Sequence, residues 1–246
     1  MRLSKWQIAL GSSLVLLSAL VYFGQFLIFG RAMDMFFYML QDLAFVPIQV
    51  LLVTLIISSL LESREKRARL EKMNMVMGTF FSEIGMKLLA HFSASDSHLD
   101  IIRGKLVVTK DWSKREFFNV SRLLKDHHYV VNIEKVDLEA LRGLLEAKRD
   151  FLLRLLENPI LLEHESFTEV LRAVFHLTEE LVSRRDLGKL PNSDLNHLAT
   201  DVKRAYLLLV AQWLDHMEYL KENYPYLFSF AMRTNPFDRQ ASVIVQ

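Results

Sequence analysis

Two long apolar segments occupy the first sixty residues of the chain, and they constrain everything that follows. Ile8 to Phe29 runs 22 residues without a formal charge, and Leu43 to Leu61 runs another 19. A helix needs ~20 residues to cross a bilayer core of ~30 Å, so 8–29 and 43–61 each read as a span. A cleavable secretory signal competes for the first segment, because Arg2 and Lys5 precede it. A signal core is ~7 to 15 residues long and ends in small residues. This run is longer and ends in Phe26, Leu27, Ile28, Phe29, Gly30 and Arg31, which predicts an uncleaved anchor.

Cytoplasmic flanks of spans retain an excess of Lys and Arg. Arg2 and Lys5 precede the first span and Arg64, Lys66, Arg67, Arg69 and Lys72 follow the second, while the connection offers Arg31 alone. Residues 1–61 are therefore expected to form a transmembrane hairpin in the inner (cytoplasmic) membrane, with both termini cytoplasmic. Asp42 is placed at the outer interface, because a charge near mid-membrane costs roughly 2.5–3.5 kcal/mol on insertion scales. Phe36 to Leu40 then lie in the headgroup layer. Gly11, Ser18 and Gly24 offer small surfaces for helix packing, and Pro47 a bend. A transporter acting through a membrane-buried Asp42 is a further class, although two helices are few for a pore.

From Glu62 onward basic and acidic residues are equal in number. A neutral domain lacks the positive surface on which general nucleic-acid binding rests. The sequence holds no cysteine, which excludes disulfides and cysteine-ligated metal centres and fits a reducing compartment.

Apolar residues then recur at helical spacing. Leu70, Met73, Met77, Phe80, Ile84 and Leu88 stripe a juxtamembrane helix over 62–92, which either zips two protomers as a short coiled coil or packs on its own domain. Ser93 to Ser97 break it. In 93–246, Leu106 to Thr109 and Tyr129 to Ile133 read as short strands or as buried coil, around a helix capped by Asp111. Leu138, Leu141, Leu145, Leu152 and Leu156 stripe one helix from Asp137 to Asn158. Phe167 to Val182 stripe the next, and Leu198, Val202, Ala205, Leu209, Trp213, Met217 and Leu220 a long one that Pro191 to Asp194 open. An aromatic piece from Tyr224 to Met232 follows. The fold class expected is mostly α: a two-helix membrane hairpin followed by a helical bundle with antiparallel neighbours. The tail at Ser242 to Val245 is β-prone and suited to a partner's sheet edge, or else frayed.

The densest polar grouping is Glu163, His164, Glu165, Glu169, Arg172, His176, Glu179 and Glu180. Positions 165, 169, 172 and 176 share one side of a helix, and His197, Asp201, Arg204, Gln212, Asp215 and Tyr219 form a comparable face on the long helix. If the two faces met, carboxylates and imidazoles would suit iron, manganese or zinc. The di-metal pattern is incomplete, since no Glu-x-x-His pair occurs, and His164-Glu165 lacks the second histidine of a HExxH motif. The other reading is two solvated faces with ordinary charge pairs, which implies no metal. His216, beside Trp213 and Leu220, reads as a packed core histidine.

His164, Glu165 and Thr168 resemble the phosphoacceptor box of sensor kinases, but the glycine-rich nucleotide boxes are missing. P-loop and dinucleotide fingerprints are missing too, and no cofactor is implied. Pro47 to Val50, Asn74 to Val76, Phe80 to Glu83, Glu157 to Pro159, Leu162 to Glu165 with Phe167 and Thr168, Tyr224 to Phe228, and Arg233 to Phe237 are similar to an uncharacterised group of prokaryotic two-span membrane proteins. The resemblance covers most of the chain. It implies an inner-membrane protein with a cytoplasmic helical domain, and no activity.

The function expected is a membrane-anchored scaffold or signalling-accessory protein, more a binder than an enzyme. Its helical domain would bind another protein, or a second copy of the chain, and no nucleic acid. The alternative is a membrane-bound metal- or ligand-binding enzyme or sensor using His164, Glu165, Glu169, Arg172, His176, His197 and Asp201.

Overall fold

The computed structural model describes residues 5–30, 32–162 and 164–244, with the side chains of 5–11, 29, 32, 35 and 162 left aside. The chain divides into two units, Met1–Lys66 and Arg67–Gln246.

The first unit holds α1 (Lys5–Phe29) and the apolar part of α2 (Ala32–Phe80). Gly30 ends α1 at φ 62°, the left-handed conformation that favours glycine after a helix, and its N–H donates to the Phe26 carbonyl at 2.9 Å. Tyr22 and Asp42 meet across the turn, the phenol donating to Asp42 Oδ2 at 3.2 Å. Because α2 begins at Ala32, Phe36 to Leu40 are one continuous helix with the segment beyond Asp42 rather than a separate turn. A Cβ at Gly24 would meet nothing within 4 Å, so no close helix contact forms there. Among the described residues one helix, lying in Phe36–Ser95, has the length and apolarity to cross a membrane; the apolar stretch of α1 with described side chains is shorter, Ser12–Ile28.

The second unit is helical. Its first element is the end of α2, where Met73, Met77 and Phe80 enter the core. The helix then widens through a five-residue π turn, Phe81–Gly85, in which the Met86 N–H donates to the Phe81 carbonyl. It resumes as α3 (Met86–Ser95). The apolar stripe thus packs on its own domain, with Phe80 against Phe167 at 5.3 Å between ring centroids.

A short α4 (Leu99–Ile102) and α5 (Lys114–Asp126) follow. No strand forms among the described residues, so of the two readings of Leu106 to Thr109 and Tyr129 to Ile133, short strands or buried coil, the strands do not form. Leu106 and Val108 are buried in coil, and Val131 makes one isolated antiparallel bridge to Asp96. Only three residues on each side can pair, with Ser97 N–H to Val130 O at 3.0 Å and Asn132 N–H to Ser95 O at 2.9 Å. The cap of α5 is Ser113, not Asp111. Ser113 and Glu116 form a capping box, two unpaired N–H groups satisfied reciprocally.

The anticipated helix over 137–158 is two. Asp137 caps α6 (Leu138–Ala147), accepting from Ala140 N at 2.9 Å. Lys148, at φ −110° and ψ 6°, breaks the run before α7 (Arg149–Leu156). A single turn α8 (Pro159–Leu162), α9 (Glu165–Val182), α10 (Asn192–Asn223) and α11 (Pro225–Arg233) complete the unit. The long α10 is the central member, touched by α9, α3, α5 and α11. Every apolar position anticipated for its inner face, from Leu198 through Trp213 to Leu220, is buried. The tail through Ile244 forms no strand, and Val245 lies outside the described residues.

Candidate functional site

The polar faces of α9 and α10 meet at one end. The helices run antiparallel, and the short connection 183–191 places the last turns of α9 beside the first turns of α10. His176 and Glu180 on α9 face His197 and Asp201 on α10, each pair four residues apart and so on one side of its helix. His176 Nε2 lies 3.4 Å and His197 Nε2 3.3 Å from the same atom, Asp201 Oδ2. Glu180 stands across from them, 3.8 Å from His176 Nε2 and 3.6 Å from His197 Nε2. Asp201 is 3% exposed, and its Oδ2 has no hydrogen-bond partner. The two imidazoles are about half exposed, so a buried carboxylate forms the floor and histidines the mouth.

Arg184 fixes this geometry. Its Nε and Nη2 form a fork on Asp194 at 2.8 and 2.6 Å, and Nη1 reaches Glu180 Oε2 at 2.7 Å. That ties the C-terminus of α9 to the N-terminus of α10 through charge-assisted bonds. The guanidinium holds the carboxyls of Glu180 and Asp194 below the usual carboxylate range. Arg204 lies 3.5 Å from the other oxygen of Asp201, Oδ1.

The rest of the anticipated face goes elsewhere. Glu169 and Arg172 pair with each other at 2.8 Å on the surface, and Glu165 is exposed. His164 caps α9 by accepting from Phe167 N–H at 3.2 Å. The neighbouring Ser166 donates to Gln212 Oε1 at 2.9 Å. Glu163 lies outside the described residues.

A second feature is an apolar groove of about 560 Å³ in the second unit, between the end of α2 with its π turn and α10 with α11. Trp213 and His216 are its buried floor. Met75 and Tyr226, 70% and 71% exposed, and Phe230, 49% exposed, stand along its walls. The His216 ring stacks on Phe81 at 5.1 Å and 13°, the packed core histidine that its neighbours predicted. Desolvation pushes its imidazole down to about 4.

A third polar cluster carries no sequence signal. Asp96, at the helix break after α3, is buried, and its Oδ1 accepts from His98 N at 2.9 Å and Val130 N at 3.3 Å. Its Oδ2 faces His127 Nε2 at 3.8 Å. Burial outweighs that carboxylate and pushes the His127 imidazole down.

The division of the chain has a counterpart in comparisons with known proteins. Residues 2–61 match the model of the "MJ1433, N-terminal helical domain", and residues 69–233 that of the "Uncharacterized protein MJ1433, C-terminal helical domain". The chain belongs to the MJ1433 family. It is 48% identical over 240 residues to "Uncharacterized protein MJ1433" of Methanocaldococcus jannaschii, covering 98% of this chain and 96% of that one. No solved structure matches. The α9–α10 cluster and, apart from Thr234, the groove fall within the part matched by the C-terminal MJ1433 domain.

Proposed function

We propose that the chain is a membrane-anchored adaptor, whose helical domain receives an amphipathic helix of a partner protein in the groove beside α11. Residues 8–29 and 43–61 serve as a transmembrane hairpin, with both termini and the domain in the cytoplasm. The anchor reading is supported by the exposure of every apolar side chain from Leu43 to Leu61, on all sides of α2. A helix apolar all round belongs inside a protein or a bilayer, and α2 is uncovered there.

The groove carries the adaptor reading. Large exposed apolar patches mark interaction sites, and interfaces are enriched in aromatic residues and Met. Tyr226 and Phe230 on one wall, Met75 and Met86 on the other, supply such a surface. Methionine adapts its shape to a helix laid on it, and helix-in-groove recognition needs apolar anchors spaced i, i+3/i+4, i+7. The one charged lining residue, Glu83, is engaged by Lys148 at 2.7 Å, which favours an occupant whose inserted face is uncharged.

A photoreactive residue replacing Tyr226 or Met75 in the full-length protein, activated in native membranes, tests this. A discrete heterologous adduct is expected from both sites. It should map to a peptide with that spacing, disappear in Phe230→Asp, and be absent when the probe replaces Ile101, which is exposed outside the groove. Self-adducts alone, or adducts indifferent to Phe230→Asp, would overturn the reading.

A further inference from the structure

Beyond the groove and independent of it, we propose that His176, Glu180, His197 and Asp201 bind a zinc-class divalent metal ion between α9 and α10. Asp201 Oδ2 is a buried anionic oxygen that makes no hydrogen bond, and an isolated buried carboxylate oxygen is costly unless paired or metal-bound. Both imidazole Nε2 atoms aim at it from 3.3 and 3.4 Å. Charge-assisted N–H···O⁻ bonds close to ~2.7–2.9 Å, so these separations are too long for that interaction. They do suit two ligands of one ion. Zinc binds imidazole nitrogen and carboxylate oxygen at ~2.0–2.2 Å in tetrahedral geometry, which sets neighbouring ligand atoms about 3.3–3.5 Å apart. The two histidine–Asp201 separations match edges of such a tetrahedron, and Glu180 stands slightly farther out, its Oε1 3.8 Å from His176 Nε2 and its Oε2 3.6 Å from His197 Nε2.

The surroundings orient the ligands as outer partners of metal sites do. Arg204 sits on Asp201 Oδ1 and turns Oδ2 inward, while Arg184 holds Glu180 Oε2 and leaves Oε1 facing His176. Two neutral imidazoles and two carboxylates match the charge of one divalent ion, and a nitrogen–oxygen set suits zinc over calcium or magnesium.

The test uses full-length protein in detergent, with Co²⁺ as the spectroscopic probe and Zn²⁺ as competitor at pH 7. Saturable binding of one Co²⁺ per chain is expected, with the visible absorption of four-coordinate N/O ligation, displaced by Zn²⁺. His197→Gln and His176→Gln replace half-exposed side chains, so their folding is not at stake. Each should weaken binding about tenfold or more, in line with the 10- to 100-fold that even outer-shell changes cost. Asp201→Asn should remove the zinc-dependent rise in melting temperature. Glu169→Gln, on the same helix but outside the cluster, should bind as the unmodified chain does. No saturable Co²⁺ binding, or binding unchanged in His176→Gln and His197→Gln, would overturn the proposal.

Discussion

His216 shows how burial alone sets the behaviour of a single residue. Its imidazole is held near pH 4 by desolvation, against about 6.5 in an unfolded chain. The unfolded state therefore binds the extra proton between those values. The neutral ring's contribution is fully present above pH 6.5 and is lost as pH falls toward 4, amounting to roughly 3 kcal/mol at ~1.36 kcal/mol per unit. Denaturant titrations of full-length protein at pH 7 and pH 5, followed by tryptophan fluorescence, should show a steeper loss for the unmodified chain than for His216→Phe. Equal losses would contradict this. The burial of His216 was legible from Trp213 and Leu220 at helical spacing. The burial of Asp96 was not, because a Ser-rich break looks the same whether its side chains point to water or, like Asp96, accept from two backbone N–H groups. Local hydrogen-bonding residues announce a turn, and only the tertiary fold decides what covers it.

Among the elements, the stripes of α9 and α10 were plain because both helices bury one face along their full length. The break at Lys148 was invisible, since the leucine spacing continues across it and lysine is an ordinary helix former. The π turn was equally hidden, and its tightest point is Gly85. A Cβ there would lie 2.7 Å from Phe81 Cδ1 and 3.0 Å from Phe80 Cε1. Both rings are buried and cannot swing away without disturbing Phe167 or His216. Gly85→Ala should cost about 1–3 kcal/mol by overpacking, although alanine is the better helix former, and the loss should appear in the denaturation midpoint. A neutral or stabilising outcome would mean the rings yield.

For the molecule as a whole, the absence of cysteine makes the topology of the proposed hairpin directly measurable. Met33→Cys, at an 84% exposed position after Gly30, should react with a membrane-impermeant thiol reagent in intact cells. Ser242→Cys should react only after permeabilisation. Labelling of Ser242→Cys in intact cells would refute the orientation. The polar cluster was half legible. Spacing placed His176, His197 and Asp201 on facing sides, but the direction of the crossing is not written in spacing. The two helices pack antiparallel along their length, Ser166 reaching Gln212 at the far end, but the acidic and imidazole side chains face one another only beside the short connection, which admits Glu180 and leaves Glu165, Glu169 and Arg172 in solvent.

The π turn also has a meaning for chain length. A stretch closed by an i to i−5 bond holds one residue more than regular α geometry needs over the same rise. The helix beyond it nevertheless presents Leu88 and Phe92 to the core, so the surplus is absorbed within Phe81–Gly85 and not passed on as a rotation of everything downstream. Deletion of one solvent-facing residue there, Ser82 or Glu83, would restore a regular helix with the same buried face. The same loss at Asn74 or Lys87 would turn the stripe by about 100°. The segment is thus a point where this chain can lose a residue without changing its core.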